Sequence, residues 1–228
     1  MHKLVVWNLL EDKLYLNGNR FYVLINGEYN QIQFNNFRIS GDTDFNFSKR
    51  KCEQFSKLIE TDKTLTVDMR ENFMEKLRQC NSRYHTYENF SFMPITGHLQ
   101  LKKRDCGGDR FDEFLYELSQ YYENGRNAND TIFRRANWMG SKGQFNESFE
   151  LKNYLDLFID GIYDYCKEVY LIKDRKFIKR IVASGEAHKK NKNNKIKMDT
   201  NDLNIYMDLA IYYWDMRKKI IVNQLFDY

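Results

Sequence analysis

Proline is nearly absent from this 228-residue chain, with Pro94 alone, and the four cysteines Cys52, Cys80, Cys106 and Cys166 are scattered with no C-x-x-C pair. That spacing excludes a disulfide framework and a zinc ribbon, and it predicts reduced, mostly buried thiols in a cytoplasmic protein. No apolar run approaches the roughly 20 residues a spanning helix needs. No apolar N-terminal core with a cleavage site is visible, so the expectation is a soluble chain without an export signal or a membrane partner. There is no G-x-x-x-x-G-K-[ST], no G-x-G-x-x-G and no H-x-x-x-H, which removes the common nucleotide and zinc fingerprints; no cofactor and no metal are expected. Repeats, heptads and a dividing linker are missing too, so the reading is one α+β domain over 1–228.

What is abundant is aromatic: 17 Phe and 16 Tyr, a composition that excludes disorder. Charge is balanced overall at +4 but unevenly placed. Lys167 to Met198 holds eleven basic residues against three acids, a net of +8, which leaves −4 for the remainder.

Residues 1–39 read as a small antiparallel meander packed on a mainly helical body at 47–228. Asn17-Gly18 and Asn26-Gly27 separate the β-rich runs KLYL, NRFYVLI and EYNQIQF, and Asn-Gly favours hairpin turns. HKLVVWNLL, residues 2–10, reads as one more strand. Asn35 to Phe47 reads as a loop turned by Gly41 and Asp42. Cys52, Phe55, Leu58 and Ile59 mark one helix, and Met69, Phe73, Leu77 and Cys80 mark another. Residues 81–108 lose periodicity and form an irregular loop, with a short strand suggested by HLQLK; loops of this length are often functional.

Asp109 is the expected N-cap of a helix that Gly125 stops. The strongest periodic signal runs from Asn146 to Ile172. It predicts one amphipathic helix, with Asp156, Asp160 and Asp164 on its polar face. A shorter helix follows from Asp174 to Ser184, ended by Gly185, then a mobile lysine-rich loop at 186–199. The last helix, Asp202 to Leu225, carries Ile205, Leu209, Tyr212, Met216 and Ile220 on one side and Tyr206, Met207, Ile211, Tyr213 and Trp214 around much of the rest, so its first half is expected to be buried on several sides.

Three constellations could carry chemistry. Asp42 and Asp44, two apart in RISGDTDFNF, could aim two carboxylates at one metal for phosphoryl or nucleotidyl transfer, given a third acid within about 4 to 6 Å. Glycines before a helix in GGDRFDEF could bind an anion, and Cys106 beside them could be an activated thiol with His85 or His98 as base. Lys173, Arg175, Lys176, Lys179, Arg180, Lys189, Lys190, Lys192, Lys195 and Lys197 form the basic footprint expected of a nucleic-acid or nucleoprotein contact. Tyr84, Tyr87 and Phe92 are the aromatics expected at an interface with a protein partner.

FRISGDTDFNF, FMPITGHL and DRFDEFLYELSQYY, followed by IYDYC, resemble an uncharacterised family of bacterial and phage proteins from low-GC Gram-positive genomes, over Asn35 to about Ile178. The abundant Asn and Lys point to the same AT-rich source. The resemblance implies a role in phage and host conflict, as a defence component or its inhibitor, and assigns no activity, cofactor or catalytic residue. The expected function is therefore that of a cytoplasmic binding protein acting on a nucleic acid or nucleoprotein. A metal-dependent nucleotidyl or phosphodiester enzyme and a structural or homo-oligomeric protein are the alternatives.

Overall fold

A computed structural model describes residues 14–17, 20–25, 27–32, 39–94, 99–126, 132, 146–194 and 198–226. The fold is α+β with a mainly helical body. Strands β1 (Leu14–Asn17), β2 (Arg20–Ile25) and β3 (Glu28–Ile32) form the expected antiparallel meander, with Asn17 opposite Arg20 and Ile25 opposite Glu28. Gly27 takes φ +85°, the left-handed conformation for which a hairpin turn selects glycine. The additional strand over 2–10 and the packing of the meander's side chains lie outside the described residues.

A second sheet appears where a loop was expected. β4 (Ile39–Thr43) pairs antiparallel with β5 (Phe90–Pro94), setting Asp42 opposite Ser91 and Ile39 opposite Pro94. Gly41 is thus a strand residue. A Cβ there would lie 1.9 Å from the ring of Phe90, so the glycine makes room for an aromatic laid across the strand. The chain leaving β4 drives Phe45 and Phe47 into the core, and helices α1 (Lys49–Thr61) and α2 (Val67–Arg83) follow as the periodicity predicts. The described residues between 81 and 108 hold more regular structure than the expected irregular loop. α2 runs to Arg83, a short 3-10 turn (Tyr87–Asn89) leads into β5, and LQLK lies in helix α3 (Leu99–Asp105) instead of a strand.

Helix α4 (Phe111–Glu123) ends as predicted, with Gly125 at φ +74°. The 146–172 periodicity, by contrast, belongs to two helices, α5 (Asn146–Asp156) and α6 (Ile162–Tyr170). Gly161 at φ +59° breaks the run, packed so closely that a Cβ would meet the ring of Tyr122 at 3.1 Å. The carbonyls released at the break are collected by Arg126, which donates to Asp156 O (2.8 Å), Phe158 O (2.9 Å) and Ile159 O (2.8 Å). The three aspartates therefore form no ridge. Asp156 accepts from Tyr121 at 2.6 Å and pairs with Lys152, Asp160 pairs with Arg175, and Asp164 accepts from the Asp160 amide at 2.8 Å.

Helix α7 (Arg175–Asn193) starts on Asp174, whose carboxylate accepts from the amides of Lys176 and Phe177, and passes straight through Gly185. The expected lysine-rich loop is thus helical through Asn193, and positions 195–197 lie outside the described residues. Gly185 is a packing residue: a Cβ would sit 2.1 Å from Asp112 O and 2.8 Å from Glu113 N, so α4 and α7 touch backbone to backbone. The final helix, α8 (Thr200–Phe226), is the element around which the core is built. Its first half is buried on several sides as expected, through Tyr206, Met207, Leu209, Tyr213 and Trp214, with Leu203, Ala210, Arg217 and Ile221 buried as well, while Ile205 and Tyr212, also expected to pack, are 43% and 44% exposed. Phe45 lies 5.1 to 6.0 Å, ring centre to ring centre, from Phe111, Tyr206, Tyr213 and Trp214, which locks the exit of β4 onto α4 and α8.

Candidate functional site

Asp42 in β4 and Asp44 just after it are built into two different environments. Asp44 is interior at 1% exposure, and its Oδ2 accepts from Ser91 Oγ (2.7 Å), Tyr213 Oη (2.5 Å) and Arg217 Nη1 (2.7 Å). Arg217 reaches it from α8 and also donates to Ser91 Oγ (2.6 Å) and Phe90 O (2.8 Å), so one side chain ties the strand pair to the central helix. Burial pushes the Asp44 carboxyl above its ordinary pKa, against the pull of Arg217, Lys103 and its two hydroxyl donors. Asn89 completes the joint, accepting from Phe45 N (2.9 Å) and donating to Phe45 O (2.9 Å) and Tyr84 O (2.8 Å).

Asp42 opens toward the surface instead. It accepts from Arg104 Nε at 2.9 Å, with Lys103 Nζ 3.8 Å away; burial would raise its pKa, and these two cations bring it below the usual value. Lys103 is wholly buried, donates to Thr43 O and lies 3.4 Å from Asp109 Oδ1. Asp109 is the nearest candidate for a third acid, yet the ammonium of Lys103 joins it to Asp42, and each carboxylate already has a cation of the protein's own. Among the described residues no group of three His, Cys, Asp or Glu side chains is placed to hold a metal ion.

Asp109 is also not the N-cap of α4. It stands at φ +74° after Gly107 and Gly108, which are likewise left-handed, and Arg110 occupies the cap position. The space before the helix is filled by the chain's own acids: a Cβ on Gly107 would meet Glu113 Oε2 at 2.4 Å. Cys106 is buried at 4% exposure, His85 is exposed and His98 lies outside the described residues. Thiol chemistry is unfavourable elsewhere as well, since burial pushes the Cys52 thiol up to about 11 and raises Cys80 and Cys166 further.

The basic footprint divides at the middle of α7. In its C-terminal half the helix turns inward onto buried acids of α4. Ser184 Oγ donates to Asp112 Oδ2 (2.7 Å), His188 Nδ1 lies 2.8 Å from Glu113 Oε2, Lys189 pairs with Glu117, and Lys192 lies 3.8 Å from Glu113 Oε1. These contacts give Lys189 and Lys192 acidic partners within the protein. Asp112 is further held by Arg110 through two bonds of 2.9 and 2.6 Å, with the guanidinium 3.9 Å over the Tyr206 ring. In the N-terminal half only Arg175 is paired, with Asp160. Lys173, Lys176, Lys179 and Arg180 are exposed, as is Lys190 further on, and none of these five is in an ion pair among the described residues. Lys195 and Lys197 lie outside them. Tyr84, Tyr87 and Phe92 are half-buried, Tyr84 packing on the core with its ring 4.2 Å from His85.

The Asp112 cluster has a pH signature. Burial alone would raise this carboxyl, but Arg110, Ser184 and His188 together hold it below the ordinary value of 3.8. A depressed carboxylate stabilises the fold above its unfolded pKa of about 3.9, and the contribution is lost as pH falls through the lower folded value. The melting temperature should therefore drop on acidification below about pH 4. In Asp112→Asn the drop should be shallower and should start from a lower value at pH 7; equal slopes in calorimetric scans would refute the assignment.

Sequence reasoning misses Arg217 and Ser91, and it takes Gly185 for a helix stop where the structure makes it a packing residue. Arg217 alone had a readable signal, since it falls four residues after Tyr213 and seven after Ala210, on a buried stripe where a cation requires an interior acid. No family model, curated protein or solved structure significantly matches this chain.

Proposed function

We propose that this chain is a cofactor-free cytoplasmic protein that binds nucleic acid or a nucleoprotein, contacting phosphates through the exposed N-terminal half of α7. The observation that carries the reading is the group Lys173, Lys176, Lys179 and Arg180, exposed around the start of α7 and in no ion pair among the described residues, whereas Lys189 and Lys192 further along the helix face the buried acids Glu117 and Glu113. Cations held in no ion pair of the protein are available to displace counterions from a polyanion. Among the described residues no helix is long and apolar enough to cross a membrane, and none of the four cysteines is in a disulfide, which suits a reducing compartment. Action in phage and host conflict is the part of the proposal that rests on the resemblance of the sequence motifs. No observation favours the metal-dependent alternative, because Asp42 and Asp44 are each held by a different arginine.

Binding to short DNA and RNA, followed by fluorescence anisotropy between 50 and 200 mM salt, tests the reading. Each phosphate contact contributes roughly 0.7 to 0.9 to the slope of log affinity against log salt. Changing Lys173, Lys176, Lys179 and Arg180 together to Ala should lower that slope by about 3. Lys189→Ala should instead cost stability with little change in slope. A slope that is the same in the fourfold variant, or no binding at low salt, would turn attention to a protein partner.

A further inference from the structure

We propose that this basic face takes single-stranded nucleic acid, with one base stacked on Tyr212; the inference rests on the nucleic-acid reading above and specifies its ligand. Tyr212 projects from α8 beside the start of α7, 44% exposed, and the charge of Arg180 bears on its phenol. Its ring is held in place. The hydroxyl donates to Asp174 Oδ2 at 2.9 Å, and the ring lies against Phe177 with centroids 4.9 Å apart and planes 31° apart. Asp174 Oδ1 meanwhile caps α7 by accepting from the amides of Lys176 and Phe177. One carboxylate thus fixes both the aromatic platform and the first turn of the basic helix, so the ring and the cations keep a constant relation without ordering on binding. A second cation and ring lie near the same helix end, where the Arg175 guanidinium sits 4.6 Å over Tyr163.

An exposed, braced aromatic beside a phosphate-binding stripe is the arrangement that suits unpaired bases, whose faces are open to stacking. In a duplex those faces are already covered by neighbouring bases. Tyr212 could then add nothing, and the lysines alone would set the affinity.

The test compares a 12-nucleotide single strand with the same sequence as a duplex, for the full chain and for Tyr212→Leu and Tyr212→Phe, whose folding is checked by thermal melting. The single strand should bind more tightly than the duplex. Tyr212→Leu should weaken single-strand binding roughly tenfold or more and leave duplex binding within twofold. Tyr212→Phe, which keeps the ring and loses the bond to Asp174, should fall between wild type and Leu. If both nucleic acids bind wild type but Tyr212→Leu changes neither, or the duplex binds as tightly as the strand, the stacking inference is overturned while the broader reading survives. If wild type binds neither, both are overturned.

Discussion

Arg217→Met should lower the stability of the fold by about 3 to 5 kcal/mol, the cost of removing one partner from a buried ion pair. For a chain of this length that is a fall in melting temperature on the order of 10 °C. Methionine fills much of the volume, so the loss is electrostatic: Asp44, at 1% exposure, would keep the Ser91 and Tyr213 hydroxyls and the charge of Lys103 but lose its paired guanidinium. Lysine should rescue poorly, because the guanidinium serves Asp44, Ser91 and Phe90 O at once and an ammonium cannot span them. Two further outcomes separate this mechanism from simple loss of packing. Burial already raises the Asp44 carboxyl, and without Arg217 the neutral form is favoured more strongly. A raised folded pKa gives stability that is lost as pH climbs through it, so the deficit of Arg217→Met should be smaller at pH 5 than at pH 8. The double variant Asp44→Leu with Arg217→Met should recover most of the loss, since apolar replacements of both partners are often neutral. A deficit under about 1 kcal/mol, or one independent of pH, would mean that the pair contributes little.

That joint shows where a sequence is readable and where it is not. Elements whose cause is local were legible: Gly27 in its hairpin, the helices carrying Phe55 and Leu77, and the Gly125 stop all follow from neighbours within a few positions. Gly161 was a local signal overlooked, an Asp-Gly pair inside a periodic run that breaks it into α5 and α6. The remaining errors come from partners distant in sequence. Lysines at 189 and 192 look like solvated loop because the acids that claim them, Glu117 and Glu113, lie more than 70 positions earlier. On α8 the apolar Ile205 and Tyr212 read as packed alongside Leu209, Tyr213 and Trp214 yet are exposed, whereas Arg217 belongs on the buried face only once Asp44 is there to meet it. The candidate site suffered most. Asp42 and Asp44 do occur together, but strand exit and helix contact send them to different arginines, Arg104 and Arg217, and spacing alone carries no information about which cation arrives.

Gly185 offers the sharpest contrast between a local and a distant cause, because the two predict opposite signs. Were it an ordinary helix position, Gly185→Ala would stabilise α7 by about 1 kcal/mol through helix propensity alone. In the structure the added methyl would sit 2.1 Å from Asp112 O and 2.4 Å from Asp112 C, atoms of the α4 backbone that no rotamer change can move aside. The helices must separate, and everything bridging them separates too. The Ser184 bond to Asp112, the His188 contact with Glu113 and the Lys189 pair with Glu117 all lie within four residues of the glycine on α7. Asp112 and Glu113 are buried, so stretching these contacts leaves carboxylates with neither a full partner nor water. Overpacking of about 1 to 3 kcal/mol adds to that loss and exceeds the gain in propensity. Gly185→Ala should therefore destabilise by roughly 2 to 4 kcal/mol in urea titrations, and Gly185→Val by more. A stabilised alanine variant would show that α4 and α7 do not meet at this point, and the inward-facing lysines would have to be returned to solvent.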